Sequence, residues 1–400
     1  MFKISELTAF IKNNIGWMPF VFAIIMYATA IGIQLWPTAT VAYATMCLFA
    51  VYAFFNGRGV ESGYMAFLLY LPIELLLAQP PELFNCWVRM PLFAIVLICF
   101  SPFIKSPRIR DIRHNVMMAF SVINVFVAVS SFFCFFLGIN MMPAIEPTNV
   151  NNTGGTFGGI TWHSMTLAPL SAMASVYLSH LALTTKKKIF WVLDIMAIGS
   201  LFFASSRSAL LAMIAGQIVV FYYQSDKKTV FFKRVLIVVI LLAVSYPLWK
   251  MWTSGFEAKN AAGMASSSTI FATRAGKWSY RIGEFMESPI FGVGIPAVGL
   301  KDSWSFNELT GVIEPGSSWL SVLSMTGIIG ALFIFSFFYK ATSNAVHSNS
   351  RRRPFYLATL VVFMVHLFAE GYIFSGGSFL CVYLWSAVGA CYDLKYYNNE

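Results

Sequence analysis

Apolar runs of about twenty residues, parted by short polar connections, recur along the whole chain. One helix of that length crosses the roughly 30 Å hydrocarbon layer of a bilayer. Inside lipid, a helix also satisfies every backbone N–H and C=O within its own segment. The runs fall at 17–36, 38–55, 62–79, 88–104, 115–138, 163–184, 189–204, 208–224, 235–252, 317–339, 354–373 and 377–393. They predict an all-α polytopic membrane protein of about twelve transmembrane helices, with Pro72 and Glu74 marking the third as short or broken. Composition agrees, because 58% of the 400 residues are hydrophobic and 11% charged, against about 25% charged in a soluble domain. The first run is too long for a signal-peptide core, and Ala28-Thr29-Ala30 resembles a cleavage site only by chance.

The net charge of +10 does not mark a nucleic-acid binder, because the basic residues punctuate the apolar runs instead of lining one face. With the N-terminus in the cytoplasm, the inner side holds Lys3, Lys12, Arg58, the basic residues of 105–113, 186–188, 227–234 and 351–353, Lys340 and Lys395. That bias fits a bacterial inner-membrane protein with both termini cytoplasmic. The outward exceptions are Arg89, Arg207, Lys250, Lys259, Arg274, Lys277, Arg281 and Lys301. The organisation expected is helices 1–9 within 1–252, a long periplasmic loop over 253–316 and helices 10–12 within 317–400, all one integrated membrane domain. That loop and the outer segment 139–162 are longer than a connection requires, which directs function to the outer side. No repeat relates the two halves, which weighs against an inverted-repeat transporter. The cysteines at 47, 86, 99, 134, 381 and 391 form no metal spacing, and no HExxH, P-loop or dinucleotide fingerprint occurs, so no metal or other cofactor is expected.

In the long loop, Arg274, Lys277, Arg281 and Glu284 recur at helical spacing, with Ala275, Trp278, Ile282 and Phe285 on the neighbouring face. The pattern is that of an amphipathic helix on the outer membrane surface. Its cations either snorkel toward lipid headgroups or clamp a polyanionic headgroup. Arg207, in the turn Ser205-Ser206-Arg207-Ser208, admits the same two readings, a snorkelling side chain or a fixed guanidinium bidentate to a diphosphate. Glu314 stands before Pro315-Gly316-Ser317-Ser318-Trp319, where the loop re-enters the membrane. It is either a favourable charge near a helix start or a general base for a sugar hydroxyl. A glutamate begins at a pKa of about 4.3, so burial would have to strengthen it as a base. His366 and Glu370, four residues apart in the eleventh run, share a helical face. Arg89, His163, Lys277 and Glu370 are candidates for an acceptor or secondary site.

Four strings together resemble the O-antigen ligase and polymerase family. Gly155-Thr156-Phe157-Gly158-Gly159-Ile160-Thr161-Trp162 is similar to its GTFxNxN stretch, without the asparagines, and SSRSALLAM at 205–213 to its SRxxxL helix start. Arg274 with Trp278, then Ser288-Pro289-Ile290-Phe291-Gly292-Val293-Gly294, matches R-x-x-x-W and P-x-x-G-x-G. Gly316-Ser317-Ser318-Trp319-Leu320 through Thr326-Gly327-Ile328-Ile329-Gly330 looks like its re-entry helix and GxxG ending. The resemblance implies a C-type glycosyltransferase fold, with Arg207 and Arg274, and Arg281 as a third, holding a donor diphosphate. In that family ligases carry a His-Asn pair where this chain has Glu314 to Ser318, and no histidine occurs from 253 to 346. A polymerase is therefore implied, with Glu314 as the base.

The leading expectation is a periplasm-facing polymerase of surface polysaccharide. It would move a glycan from polyprenyl diphosphate to the non-reducing end of another lipid-linked repeat unit. Its partners would be the lipid-linked oligosaccharide donor and acceptor, membrane lipids and a chain-length regulator. The alternatives are ligation to a lipid A core or a protein, and a flippase for the same lipid-linked sugars.

Overall fold

The computed structural model describes residues 18–28, 30–31, 38–142, 157–244, 272–299, 306–307 and 312–397. It is a helical protein. Its helices are α1 (Met18–Ala28), α2 (Thr38–Asn56), α3 (Ser62–Ala78), α4 (Cys86–Phe100), α5 (Pro107–Phe136), α6 (Ser164–Thr185), α7 (Lys188–Phe203), α8 (Arg207–Tyr223), α9 (Lys228–Val244), α10 (Ala272–Glu287), α11 (Ser318–His347), α12 (Arg353–His366) and α13 (Phe379–Asp393). Two short strands, β1 (Phe306–Asn307) and β2 (Val312–Ile313), pair antiparallel between α10 and α11. Among the described residues, Glu82–Phe100, Pro107–Phe136, Ser164–Thr185 and Ser318–His347 are long and apolar enough to cross a membrane.

The distribution of polarity is that of a protein solvated by lipid. Leu48, Leu69, Phe126, Ile195, Leu211 and Leu332 stand exposed on helix flanks. Serines, Asn124 and Asp194 are buried between helices. Chain direction alternates from helix to helix, so the connections collect at two ends. At one end Arg108 donates to Asn56, Lys105 and Lys340 both meet Glu61, Arg353 lies over the Tyr223 ring, and the Tyr397 hydroxyl donates to Asp111. At the other end Trp162 donates to the Ala30 carbonyl, Cys86 to that of Pro296, and Arg274 meets Glu370. The described basic residues of the connections expected to face the cytoplasm thus share one end, and the outer candidates share the other.

The third run is short, as expected, but unbroken: α3 runs from Ser62 to Ala78 through Pro72, because neighbouring helices hold a proline-containing turn in place inside a bundle. Another expectation is corrected. The run 354–373 is not one helix, since α12 stops at His366 and residues 367–378 turn back across the bundle end. His366 and Glu370 consequently share no helical face.

A glycine sets the re-entry geometry. Gly327 breaks the helical path of α11 with φ +60° and ψ −170°, a conformation open to glycine. The bend frees backbone groups that the 289–294 turn takes up. Ile328 donates to the Pro289 carbonyl at 2.8 Å, Val293 to that of Ser324 at 2.9 Å and Gly294 to that of Met325 at 3.1 Å. The Tyr70 hydroxyl of α3 closes the joint by donating to the Thr326 carbonyl at 2.7 Å. A Cβ on Gly327 would collide with the Ile290 carbonyl, whereas one on Gly276 would meet nothing within 4 Å. Gly327→Ala should therefore cost roughly 3 kcal/mol and lower the thermal midpoint of the detergent-solubilised protein. Gly276→Ala, in the exposed flank of α10, should leave it unchanged or raise it, and equal midpoints for the two variants would contradict this role for Gly327.

Candidate functional site

The α10 helix carries Arg274, Lys277, Arg281 and Glu284 on the side that faces the protein. Arg281 is fully buried and Glu284 nearly so, while Ile282 and Met286 are exposed and Gly283 has open space around it. In water that arrangement would be inverted. At a membrane edge it lets the apolar flank meet lipid and turns the cations toward the re-entry segment.

Arg274 is the centre of that segment. Its Nη1 donates to the Gly316 carbonyl at 3.1 Å, and its Nη2 donates to Glu370 Oε1 at 2.6 Å. One turn on, Trp278 Nε1 donates to the same Gly316 carbonyl at 3.3 Å, and Lys277 Nζ lies 3.2 Å from Glu314 Oε2. Gly316 has φ +77°, and a Cβ there would press on the Lys277 side chain, so glycine permits this close approach. Two cations and two carboxylates are thereby grouped around one carbonyl at the bundle end.

Ser318 positions Glu370. Its amide donates to the carbonyls of Leu367 and Glu370, and its hydroxyl donates to the Glu370 carbonyl at 2.6 Å. The same hydroxyl accepts from the amides of Tyr372 at 3.1 Å and Ile373 at 3.3 Å. Trp385 holds the far side by donating to the Ile373 carbonyl, and His366 Nδ1 lies 3.0 Å from the Tyr372 hydroxyl. A Cβ on Gly371 would collide with the Pro315 ring, so the 314–316 and 370–372 segments lie in contact.

The remaining candidates are distributed unequally. Arg207 opens α8, capped by Ser206 and set by a left-handed Ser205 with φ +51°. Just before this turn, Phe203 stacks on Phe135. Gly216 of α8 packs on Ala358 and Val362 of the antiparallel α12. Nine residues back along α8, about 13 Å, and the few residues forward to the end of α12 at His366 bring Arg207 and the end of α12 to the same end of the bundle. Arg207 is exposed there. Arg281 is separated from this group: Nη2 lies 2.7 Å from Glu284 Oε1, and Glu284 accepts the Gly299 amide, so the third cation of the stripe is engaged in the interior. His163 is at the same end, where its Nδ1 accepts the Met165 amide and caps α6. Arg89 lies in the first turn of α4, electrostatically close to Tyr43, whose hydroxyl meets Gly377. Lys250, Lys259, Lys301 and the Gly155-Thr156 pair lie outside the described residues.

A sequence profile of the family described as O-Antigen ligase matches residues 192–335. Over that segment the chain is similar to the O-antigen ligase family. No curated protein matches the chain by sequence. The matched segment contains Arg207, Arg274, Lys277, Glu314 and Ser318 and ends before Glu370. The polymerase and ligase type of function that this family represents is the setting for the polar group at the bundle end. Sequence reasoning missed Ser318 as the clamp on 370–373, and its only sign was a serine immediately inside a capped helix start.

The two carboxylates differ. The Glu314 side chain is 42% exposed and that of Glu370 is 13% exposed. Burial pushes the Glu370 carboxyl above its ordinary value of 4.5, and Arg274 draws it back only in part. A raised pKa in the folded state means that the fold holds this proton more tightly than the unfolded chain does. The group therefore withdraws stability as pH rises from the unfolded value near 4.5 through the folded one. Glu370→Gln removes that loss, so across this window the thermal midpoint of the variant should gain on the wild type as pH rises. A constant offset between the two curves would show that Glu370 does not titrate differently in the fold.

Proposed function

We propose that the protein is a membrane glycosyltransferase that polymerises surface polysaccharide on the periplasmic side of the bacterial inner membrane, with both termini cytoplasmic. It transfers a glycan from polyprenyl diphosphate to the non-reducing end of another lipid-linked repeat unit. The observation that carries this reading is Arg274, whose guanidinium is shared between Gly316 and Glu370 and remains 29% exposed beside Lys277. A diphosphate at the membrane surface offers this group more charge than the single carboxylate it would replace. Arg207, at the same end of the bundle on α8, is the second bidentate donor, and the exposed apolar flanks leave room for the polyprenyl tail.

Once displaced from Arg274, Glu370 is a largely buried carboxylate of raised basicity. It accepts the proton of the acceptor hydroxyl as the acceptor oxygen bonds to the anomeric carbon. The bond from that carbon to the diphosphate oxygen breaks, and its electron pair leaves with the polyprenyl diphosphate, held by Arg274, Lys277 and Arg207. Glu314, more exposed and tied to Lys277, serves at the rim by setting the position of that cation. This modifies the sequence expectation that Glu314 is the base, because burial raises the basicity of Glu370, while Glu314 stands more exposed beside Lys277. The absence of histidine between 253 and 346 supports polymerisation over ligation to a lipid A core.

Reconstituted protein supplied with lipid-linked repeat units and no other acceptor should yield a ladder of lipid-linked oligomers. Arg274→Ala and Arg207→Ala should each reduce the rate at least about a hundredfold, and Glu370→Gln by a similar factor, with Glu314→Gln less severe. Folded, donor-binding protein that makes no ladder would overturn the polymerase reading in favour of ligation or transport.

A further inference from the structure

The basic end of the bundle holds a cavity of about 160 Å³ lined by Arg58, Lys105, Arg110, Arg113 and Tyr396. We propose that it binds the phosphate of an anionic phospholipid, whose acyl chains lie along α2. The cavity is built rather than incidental. Residues 58–61 and 103–105 form a short antiparallel ladder: Arg58 donates to the Lys105 carbonyl, Lys105 to that of Gly59 and Glu61 to that of Phe103, each at 2.8 Å. This ladder fixes the backbones of Arg58 and Lys105 on one wall. The opposite wall is Arg110, whose guanidinium lies 3.9 Å from the centroid of the Tyr396 ring.

The charges on the walls do not cancel. Arg113, 1% exposed, is taken up by Asp393 at 2.6 Å and by the carbonyls of Ser101 and Ile104. Lys105 is shared with Glu61 at 2.7 Å. Among the described residues, Arg58 and Arg110 form no ion pair with an acid, so the cavity keeps a surplus of positive charge around a site large enough for a phosphodiester. Beside it, Leu48, Val51 and Phe55 of α2 are 72%, 54% and 87% exposed and follow one another along one face of the helix. A cationic cavity at the head of an exposed apolar stripe fits an amphiphile, where a soluble phosphate would need only the cavity.

The test is native mass spectrometry of the delipidated, detergent-purified full chain, titrated with phosphatidylglycerol or phosphatidylcholine. Phosphatidylglycerol should bind in preference and survive millimolar inorganic phosphate. Arg58→Gln/Arg110→Gln, which leaves the Arg113–Asp393 pair intact, should weaken it about thirtyfold. Arg58→Lys/Arg110→Lys should retain the preference, and so should Lys187→Gln/Lys188→Gln, altered at the same end but outside the cavity. Equal binding of the two lipids would overturn the proposal, as would an undiminished preference in the glutamine variant or its loss in the lysine variant. Displacement by inorganic phosphate would assign the cavity to a soluble anion instead. None of these outcomes depends on glycosyl transfer.

Discussion

A guanidinium at the edge of a membrane has to be satisfied by something, and in this protein two chain segments supply the partners of Arg274. Gly316 begins the re-entry into α11, and Glu370 belongs to the turn that follows α12. Joined through one side chain, those segments define the mouth of the bundle. Much of the surrounding structure serves that junction. Ser318 fixes 370–373, Gly371 lets Pro315 approach, and the bend at Gly327 docks the turn that follows α10. The desolvation of Glu370 offsets much of the attraction, so the pair contributes modestly to stability. In the proposed function its importance lies in holding a guanidinium where a competing anion can reach it.

Lipid as solvent explains why the charges are arranged this way. Helix flanks that would be polar in water carry leucine, isoleucine and phenylalanine, and ionisable side chains retreat to the interior or to the two ends. The α10 helix follows the same rule on a smaller scale. Ile282 and Met286 point away from the protein and its cationic stripe points inward, so the spacing of that stripe decides what each cation meets. Arg274 and Lys277 reach the mouth, and Arg281, one turn further, reaches Glu284.

The all-helical class and the position of most apolar helices were legible because run length is a local property. The positions of Arg274 and Lys277 on one face were legible for the same reason, since helical spacing depends on a few neighbouring residues. Glu370 was harder to read. Its spacing from His366 suggested a shared helical face, but the helix ends at His366 because Ser318, some fifty residues earlier, captures the amides and carbonyl that would have continued it. Arg281 shares the spacing of Arg274, but it is buried against Glu284 of its own helix, which spacing alone does not reveal. Glu314 and Glu370 looked alike as letters. Their burial, which distinguishes a rim charge from a candidate base, depends on a contact between segments remote in sequence.

The central claim is that donor diphosphate takes the place of Glu370 on Arg274. Equilibrium binding of polyprenyl diphosphate to the detergent-purified wild type, Glu370→Gln and Arg274→Ala proteins addresses it directly. Removing the competing carboxylate should leave donor affinity unchanged or make it tighter, while removing the guanidinium should abolish most of it. If Glu370→Gln weakens donor binding as severely as Arg274→Ala in proteins of equal stability, the carboxylate supports the anion site instead of yielding to it, and the account fails.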